Sequence, residues 1–301
     1  MPVFADVDKH TFNIDPKSIL EKITKKTRAI ITVSLYGLSP EYDKILEICK
    51  KNNIHLIEDN AECFLGYYKG KLVGTFGDFS SYSFQASKHI TTGEGGMLTT
   101  NNIDLADKAR RFTSLGYGGV GAGSAKITKD DIQSPGYNRH VSLGFNYRMS
   151  EVQSAVILGQ LERINELVDI RKKTASYFDE VISENDCLIK QANPNHIENS
   201  FWGYAVYLDS ERPEKDWFDF RKLFLSLGGD PYYAAWKLTY HEDYFKNEVQ
   251  KYHGVWQNFN EDICPKAFFL QKRIKAFKTN YWKIDQAKKQ AEILQKTLKL
   301  F

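Results

Sequence analysis

Short apolar runs alternate with segments of helical period through the first hundred positions. "RAIITVSLYG" reads as a buried strand, and "PEYDKILEICKKNN" follows it as a helix, with Pro40 early and Ile45, Leu46, Ile48 and Cys49 forming one face. "IHLIEDN" is a second strand, ending in acids; "YYKGKLVGTFG" reads as a hairpin around Lys69-Gly70; "FSSYSF" and "GGMLTTN" are further strands. Strand–helix–strand order predicts an α/β domain with a mainly parallel sheet.

"NIDLADKARRFTS" begins like a capped helix, and residues 115–146 are then glycine-rich and irregular, a length that marks a functional or mobile loop. From Met149 to Ser183 there is no proline. Apolar residues recur at Ile157, Leu161, Ile164 and Val168, and again at Ala175, Phe178 and Ile182, which predicts one long helix or two in tandem. Beyond it, "NSFWGYAVYLD" reads as a strand, "EKDWFDFRKLFLSLG" as a helix closed by Gly228, and "IDQAKKQAEILQKTLKLF" as a final helix. The expected organisation is a large domain over 1–150, a connecting helix over 151–185 and a smaller C-terminal domain over 186–301.

Composition narrows the class without naming a function. The 301 residues are 42% apolar, with 17 Tyr and 19 Phe, enough for a substantial core. A formal charge of +3 gives no argument for nucleic acid. The longest apolar run, "AIITVSLYG", falls far short of the ~20 residues that span a bilayer, so no membrane partner is expected. "MPVFADVDKH" lacks the basic and apolar regions of a signal peptide. Cys49, Cys63, Cys187 and Cys264 have no CxxC or Cys/His ligand spacing, which points to reduced thiols in the cytoplasm and to no metal site. From Lys272 onward, nine basic residues face two acids; the reading preferred over a membrane or nucleic-acid surface is a core-packed helix with a lysine-rich solvated face.

The chemistry concentrates in "SFQASKHITTGEGGM", residues 83–97, directly behind a strand. Lys88 there is a solvated loop lysine, a phosphate clamp or a covalent cofactor anchor. A Walker-type phosphate loop carries its glycines ahead of the lysine, whereas "GEGG" follows Lys88, so that reading falls. No GxGxxG opens a helix after the first strand either. A Schiff-base lysine needs a strand end where its ammonium can lose a proton. Were the cofactor pyridoxal phosphate, a carboxylate would have to face the pyridine nitrogen. Asp59 ends the strand "IHLIED", where α/β sheets collect ligands; alternation turns Glu58 to the other face. Taken singly, an acid at a strand end such as Asp59 is most often a cap or turn residue. Spacing alone leaves an α/β enzyme, with or without a cofactor.

The strings "PVFADVD…FNID", "IEDNAECFLGYYKGKLVGTFGD", "SYSFQASKHITTGEGGMLTTNN" and "GFNYRMSEVQSAVILGQLERI" occur in this order. Together they closely resemble the DegT/DnrJ-type sugar aminotransferases, a branch of the fold-type I pyridoxal phosphate enzymes. The resemblance runs from residue 2 to about residue 180, then more loosely through "AAWKLTYHEDYF", "CPKAFF" and "KTNYW". It implies a fold-type I α/β architecture with a smaller α+β C-terminal domain. Lys88 falls at the family's cofactor-anchoring lysine, Asp59 at the pyridinium partner, Ser83 at a phosphate-binding serine, and Glu62 near the ring hydroxyl with Phe64 close by. Asn146 matches a residue that reaches the phosphate from a second subunit, implying a homodimer with shared sites. Arg148 and Glu151 match the family's "NYRxxExQ" run and equally fit an ion pair at a helix start.

The activity implied moves an amino group, usually from Glu or Gln, to a keto group on a nucleotide-linked sugar or a cyclitol, for amino-sugar and polysaccharide biosynthesis. Lys88 would carry the proton as general acid and base. Some relatives place a histidine in the lysine's own slot and are sugar dehydratases; here Lys88 keeps the slot and His89 lies one residue on. The family normally has a segment before "PVFADVD" whose glycine/threonine-rich turn and helix N-terminus hold the cofactor phosphate. Without it, a non-catalytic remnant or interaction protein of the same fold is the competing expectation. The choice of sugar is expected to lie with the 115–145 loop and "YYAAWKLTYHE".

Overall fold

The structure, a computed structural model, describes residues 2–120, 128–209, 216–249 and 263–301. Helix α1 (Pro16–Lys22) is capped by Asp15, whose side chain accepts from Lys17 N. Strand β1 (Ala29–Val33) leads through a tight turn to α2 (Tyr42–Asn52), which ends on Asn53 in the left-handed region. Pro40 therefore stands ahead of the helix rather than in its first turn. Strands β2 (His55–Asp59), β3 (Tyr67–Tyr68), β4 (Lys71–Leu72), β5 (Phe79–Ser83) and β6 (Gly96–Thr99) follow, with Lys69 and Gly70 turning the β3–β4 hairpin. Asn102 caps α3 (Ile103–Thr113) through the N–H groups of Asp104 and Leu105.

In the 115–146 segment, residues 121–127 lie outside the described residues; the short α4 (Lys129–Gln133) follows them. The Met149–Ser183 stretch is two helices in tandem, α5 (Glu151–Leu161) and α6 (Ile164–Ser183), with the break at Glu162–Arg163. A reciprocal capping box between Ser150 and Gln153 opens α5. Next come β7 (Leu188–Lys190), β8 (Ile197–Glu198), β9 (Gly203–Leu208), α7 (Trp217–Ser226), β10 (Tyr233–Ala234), α8 (Pro265–Gln271), β11 (Ile274–Lys278) and α9 (Ile284–Leu300).

One sheet runs β1-β2-β5-β6, with β1, β2 and β5 parallel and β6 antiparallel. Parallel pairing needs crossovers, and α2 supplies the first, packing Tyr42, Ile45, Ile48 and Cys49 against Ile30 and Leu56. Burying each such side chain contributes about 1.5–3 kcal/mol. The register Val33–Asp59–Ser81 brings the C-terminal ends of the three parallel strands to one edge. A second, antiparallel sheet runs β10-β11-β9-β7. All of β9 is buried because α6, α7 and α9 cover one face while Phe12, Tyr36 and Leu270 pack on the other, which is why "GYAVYL" lacks strand alternation. The lysine-rich α9 buries Ala287, Ala291, Ile293 and Leu294, as its apolar spacing predicts.

Candidate active site

Lys88 follows β5 in a turn whose backbone closes by Lys88 N donating to Gln85 O. Its side chain is 14% exposed, and its Nζ lies 3.5 Å from Glu62 Oε1. The same amine sits 4.9 Å from the centroid of the Trp202 ring. Glu62 Oε2 accepts from Tyr36 N at 3.0 Å. Burial raises the Glu62 carboxyl above its ordinary range, and the Lys88 charge partly opposes that rise.

Asp59 ends β2 at the edge from which Ser81 and Ser83 leave β5. Its Oδ1 accepts from Ala61 N at 3.1 Å and Ser81 Oγ at 3.4 Å, while Oδ2 has no protein donor among the described residues. Ser83 Oγ accepts from Gln85 N at 3.2 Å, and its own proton has no acceptor among the described residues. An amine, a carboxylate oxygen and a hydroxyl proton are thus left with bonding capacity in this region, three of the groups that a pyridoxal phosphate site uses. Phe64 is buried against Tyr82, Phe84 and His89.

Asn146 stands apart from this cluster. It pairs with Ser114 across an isolated bridge, is exposed, and accepts from Arg148 Nε at 3.0 Å. That bond, with the guanidinium 6.0 Å from the Tyr117 ring, is what occupies Arg148; the ion pair with Glu151 does not form. Among the described residues no group of three or more His, Cys, Asp or Glu is placed to hold a metal ion.

Three contributors were not singled out from sequence. Trp202 lies in a run that reads as core strand. Ser81 is one of four serines near β5. Tyr36 adopts φ 59°, a left-handed conformation that costs a non-glycine residue about 1–2 kcal/mol. It is held there by its N–H bond to Glu62 and by stacking on Trp202, with ring centroids 6.2 Å apart. Gly37, at φ 99°, has no room for a side chain: a Cβ would meet Phe201 N at 2.5 Å.

His89 is buried away from this edge. Its Nε2 donates to Ser200 O at 3.0 Å and its Nδ1 has no partner among the described residues. Burial first, and then the Arg171 and Lys88 charges, hold its pKa well below 6.5. The folded protein therefore keeps His89 neutral while the unfolded chain protonates it, so stability is lost as pH falls below about 6.5. The slope should approach about 1.4 kcal/mol per pH unit from this residue. Denaturant unfolding from about pH 7 down to about pH 5 should show that acid limb flattened in His89→Gln. An unchanged limb would place the proton uptake elsewhere.

A GDP-perosamine synthase of Caulobacter vibrioides is 36% identical over 214 residues, 69% of this chain and 52% of that protein. The solved structure of an aminotransferase from Psychrobacter cryohalolentis superposes with a TM-score of 0.86 at 27% identity, covering 99% of this chain and 75% of the other. The E. coli GDP-4-keto-6-deoxy-D-mannose-3-dehydratase with bound hydrated pyridoxal phosphate superposes at 0.79 with 25% identity, covering 97% and 73%. The chain spans about half the length of the curated relatives it matches. Its α/β architecture is the fold-type I aminotransferase fold. The profile of the DegT/DnrJ/EryC1/StrS aminotransferase family matches residues 1–269, and the chain belongs to that family.

Proposed function

We propose that this protein is a pyridoxal phosphate-dependent aminotransferase that passes an amino group from glutamate or glutamine to a keto group of a nucleotide-linked sugar or a cyclitol. One observation carries the reading: the Lys88 amine, pinned between Glu62 and the Trp202 ring, stands at the sheet edge that presents Asp59 and Ser83. When bound, pyridoxal phosphate supplies an aldehyde that condenses with amines and a protonated ring that withdraws electrons from the carbon beside them. Lys88 would anchor it and, once free, move the proton. Asp59 would hold the ring nitrogen, Glu62 would serve the ring hydroxyl, and the Ser83 hydroxyl would hold the phosphate. The relatives named GDP-perosamine synthase support an activated sugar as acceptor.

The decisive test is trapping. Folded protein incubated with pyridoxal phosphate, reduced with borohydride and digested should carry the pyridoxyl mass on the Lys88 peptide and nowhere else. Absence of that adduct would leave the non-catalytic reading. The dehydratase reading has the matched dehydratases in its favour and one observation against it: the neutral His89 is buried on Ser200 O rather than offered to a substrate.

The reading includes a second copy of the chain that brings its Asn146 to the phosphate. Asn146 is flanked by exposed Leu143 (76%) and Tyr147 (65%), and Val152 on α5 is 75% exposed, an apolar patch of the kind that interfaces cover. If sites are shared, mixing Lys88→Ala with Asn146→Ala under subunit exchange should restore about a quarter of the native sites, because half the dimers are mixed and each has one intact site. No recovery in dimers shown to have exchanged would put both residues in the same chain's site. No helix among the described residues is long and apolar enough to cross a membrane. The four free cysteines support a reducing, cytoplasmic location.

A further inference from the structure

The backbone around Lys88 is tied to the segment that enters β9 by four side-chain bonds, none of them made by the lysine's own amine. Trp202 Nε1 donates to Ser87 O at 3.0 Å and His89 Nε2 to Ser200 O at 3.0 Å. Arg171, on α6, makes the other two: Nη2 donates to Lys88 O at 2.9 Å and Nη1 to Trp202 O at 2.8 Å. Nη1 also donates to Thr279 Oγ1 at 3.1 Å. Arg171 is 3% exposed and has no carboxylate partner among the described residues. Burial brings its pKa down to about 10, so it stays charged at neutral pH. A buried cation is costly unless its donors are used well, and a leucine or methionine would fill the same volume without that cost. Here the planar fork spans two carbonyls, one belonging to Lys88 and one to the residue whose indole lies under the lysine amine.

We infer that Arg171 is a positioning residue for Lys88: its guanidinium holds the carbonyls of Lys88 and Trp202 together and so fixes the lysine amine over the indole. That the positioned amine is a cofactor anchor rests on the function proposed above; the geometric tie does not. Thr279 closes the arrangement, its single hydroxyl proton lying between Phe201 O at 2.7 Å and Trp202 O at 3.0 Å. The tie joins the α6 helix, the Lys88 turn and the entry to β9, three segments distant in sequence.

Protein labelled with [ε-13C]lysine reads the position directly. The Lys88 ε-CH2 resonance, assigned through Lys88→Arg, should lie upfield of the other lysines because of the Trp202 ring current. In Arg171→Gln most of that displacement should vanish, and the rate of pyridoxyl trapping on Lys88 should fall about ten-fold. Thr279→Val keeps both carbonyl bonds of Arg171 and should leave the resonance in place. If Arg171→Gln does not fold, Arg171→Lys keeps a buried cation whose single ammonium cannot present a planar fork to both carbonyls, and the same loss is expected. A folded Arg171→Gln or Arg171→Lys with the native Lys88 resonance and native trapping rate overturns the inference. A native resonance that moves in Arg171→Gln, in a protein that never traps the cofactor, upholds the positioning role and sinks the cofactor reading instead.

Discussion

Lys88→Ala should lower the release of 2-oxoglutarate from glutamate by at least about three orders of magnitude, and Lys88→Arg should be as inactive. A positioned general acid/base contributes about 10²–10⁴-fold, and on the function proposed the same residue also supplies the anchoring amine. Arginine keeps the positive charge beside Glu62 but does not give up a proton at any working pH, so it separates proton transfer from simple charge balance. The fold should survive both changes. The Lys88 side chain is only 14% exposed, but its contact with Glu62 is a long 3.5 Å, and Glu62 retains the bond from Tyr36 N. Removing one partner of a buried pair costs up to about 3–5 kcal/mol. Burial already raises the Glu62 carboxyl, so protonation relieves part of that, and melting should fall further in Lys88→Ala than in Lys88→Arg with both still folded. Alkylamines added to Lys88→Ala should recover part of the rate, since they enter as free bases where the side chain was removed. Single-turnover release of 2-oxoglutarate, with glutamate and glutamine tested separately, measures all three. A Lys88→Arg variant keeping a tenth of the native rate would remove Lys88 from the proton transfer.

Why Lys88 was legible and Trp202 was not follows from where each one's partners lie. Lys88, Ser83 and the glycines behind them form one contiguous string, and Asp59 ends a strand whose alternation is visible because one face of it packs on α2. Trp202 comes from a run buried on both faces, where period carries no information and a functional aromatic looks like a core aromatic. Arg171 sits on a helix whose apolar stripe was read correctly, but a charged residue between stripe positions is ordinarily solvated, and only the packing of the Lys88 turn against α6 shows otherwise. The break between α5 and α6 carries no glycine or proline, and the strand β11 was hidden by its lysines. Lys275 there is fully buried against the Phe220 ring, its pKa brought down to about 7 by burial, contrary to the usual reading of lysine as a surface residue. Tyr36 marks the other limit: its positive φ is imposed by Glu62 and Trp202 rather than by a glycine at that position.

Glu58→Ala should cost about 4 kcal/mol or more, the largest stability effect expected outside the apolar core. Alternation turned Glu58 away from Asp59, and the structure shows what it meets there. The side chain is fully buried, and Oε2 accepts from Gly74 N at 2.7 Å. Oε1 accepts from Phe76 N at 2.7 Å, Gly77 N at 2.6 Å and Ser80 Oγ at 3.1 Å. Short bonds to a carboxylate are the strong kind, and alanine would strand three backbone donors in the interior at about 1–3 kcal/mol each. Glu58→Gln keeps one acceptor oxygen but must turn an NH2 group toward an N–H donor, so about 2–3 kcal/mol is expected from it. Urea unfolding of the two variants against the native protein measures both; a Glu58→Ala loss below about 1 kcal/mol would mean that water replaces the carboxylate. The effect should also reach the active site. The loop held by Glu58 runs straight into β5, the strand that ends at Ser83 and delivers Lys88. Glu58→Gln, still folded, should therefore slow pyridoxyl trapping on Lys88 although it touches neither Lys88 nor Asp59's carboxylate. The adjacent acids of "IED" thus divide the work: Asp59 offers its free oxygen at the edge where chemistry is proposed, and Glu58 keeps that edge in place from behind.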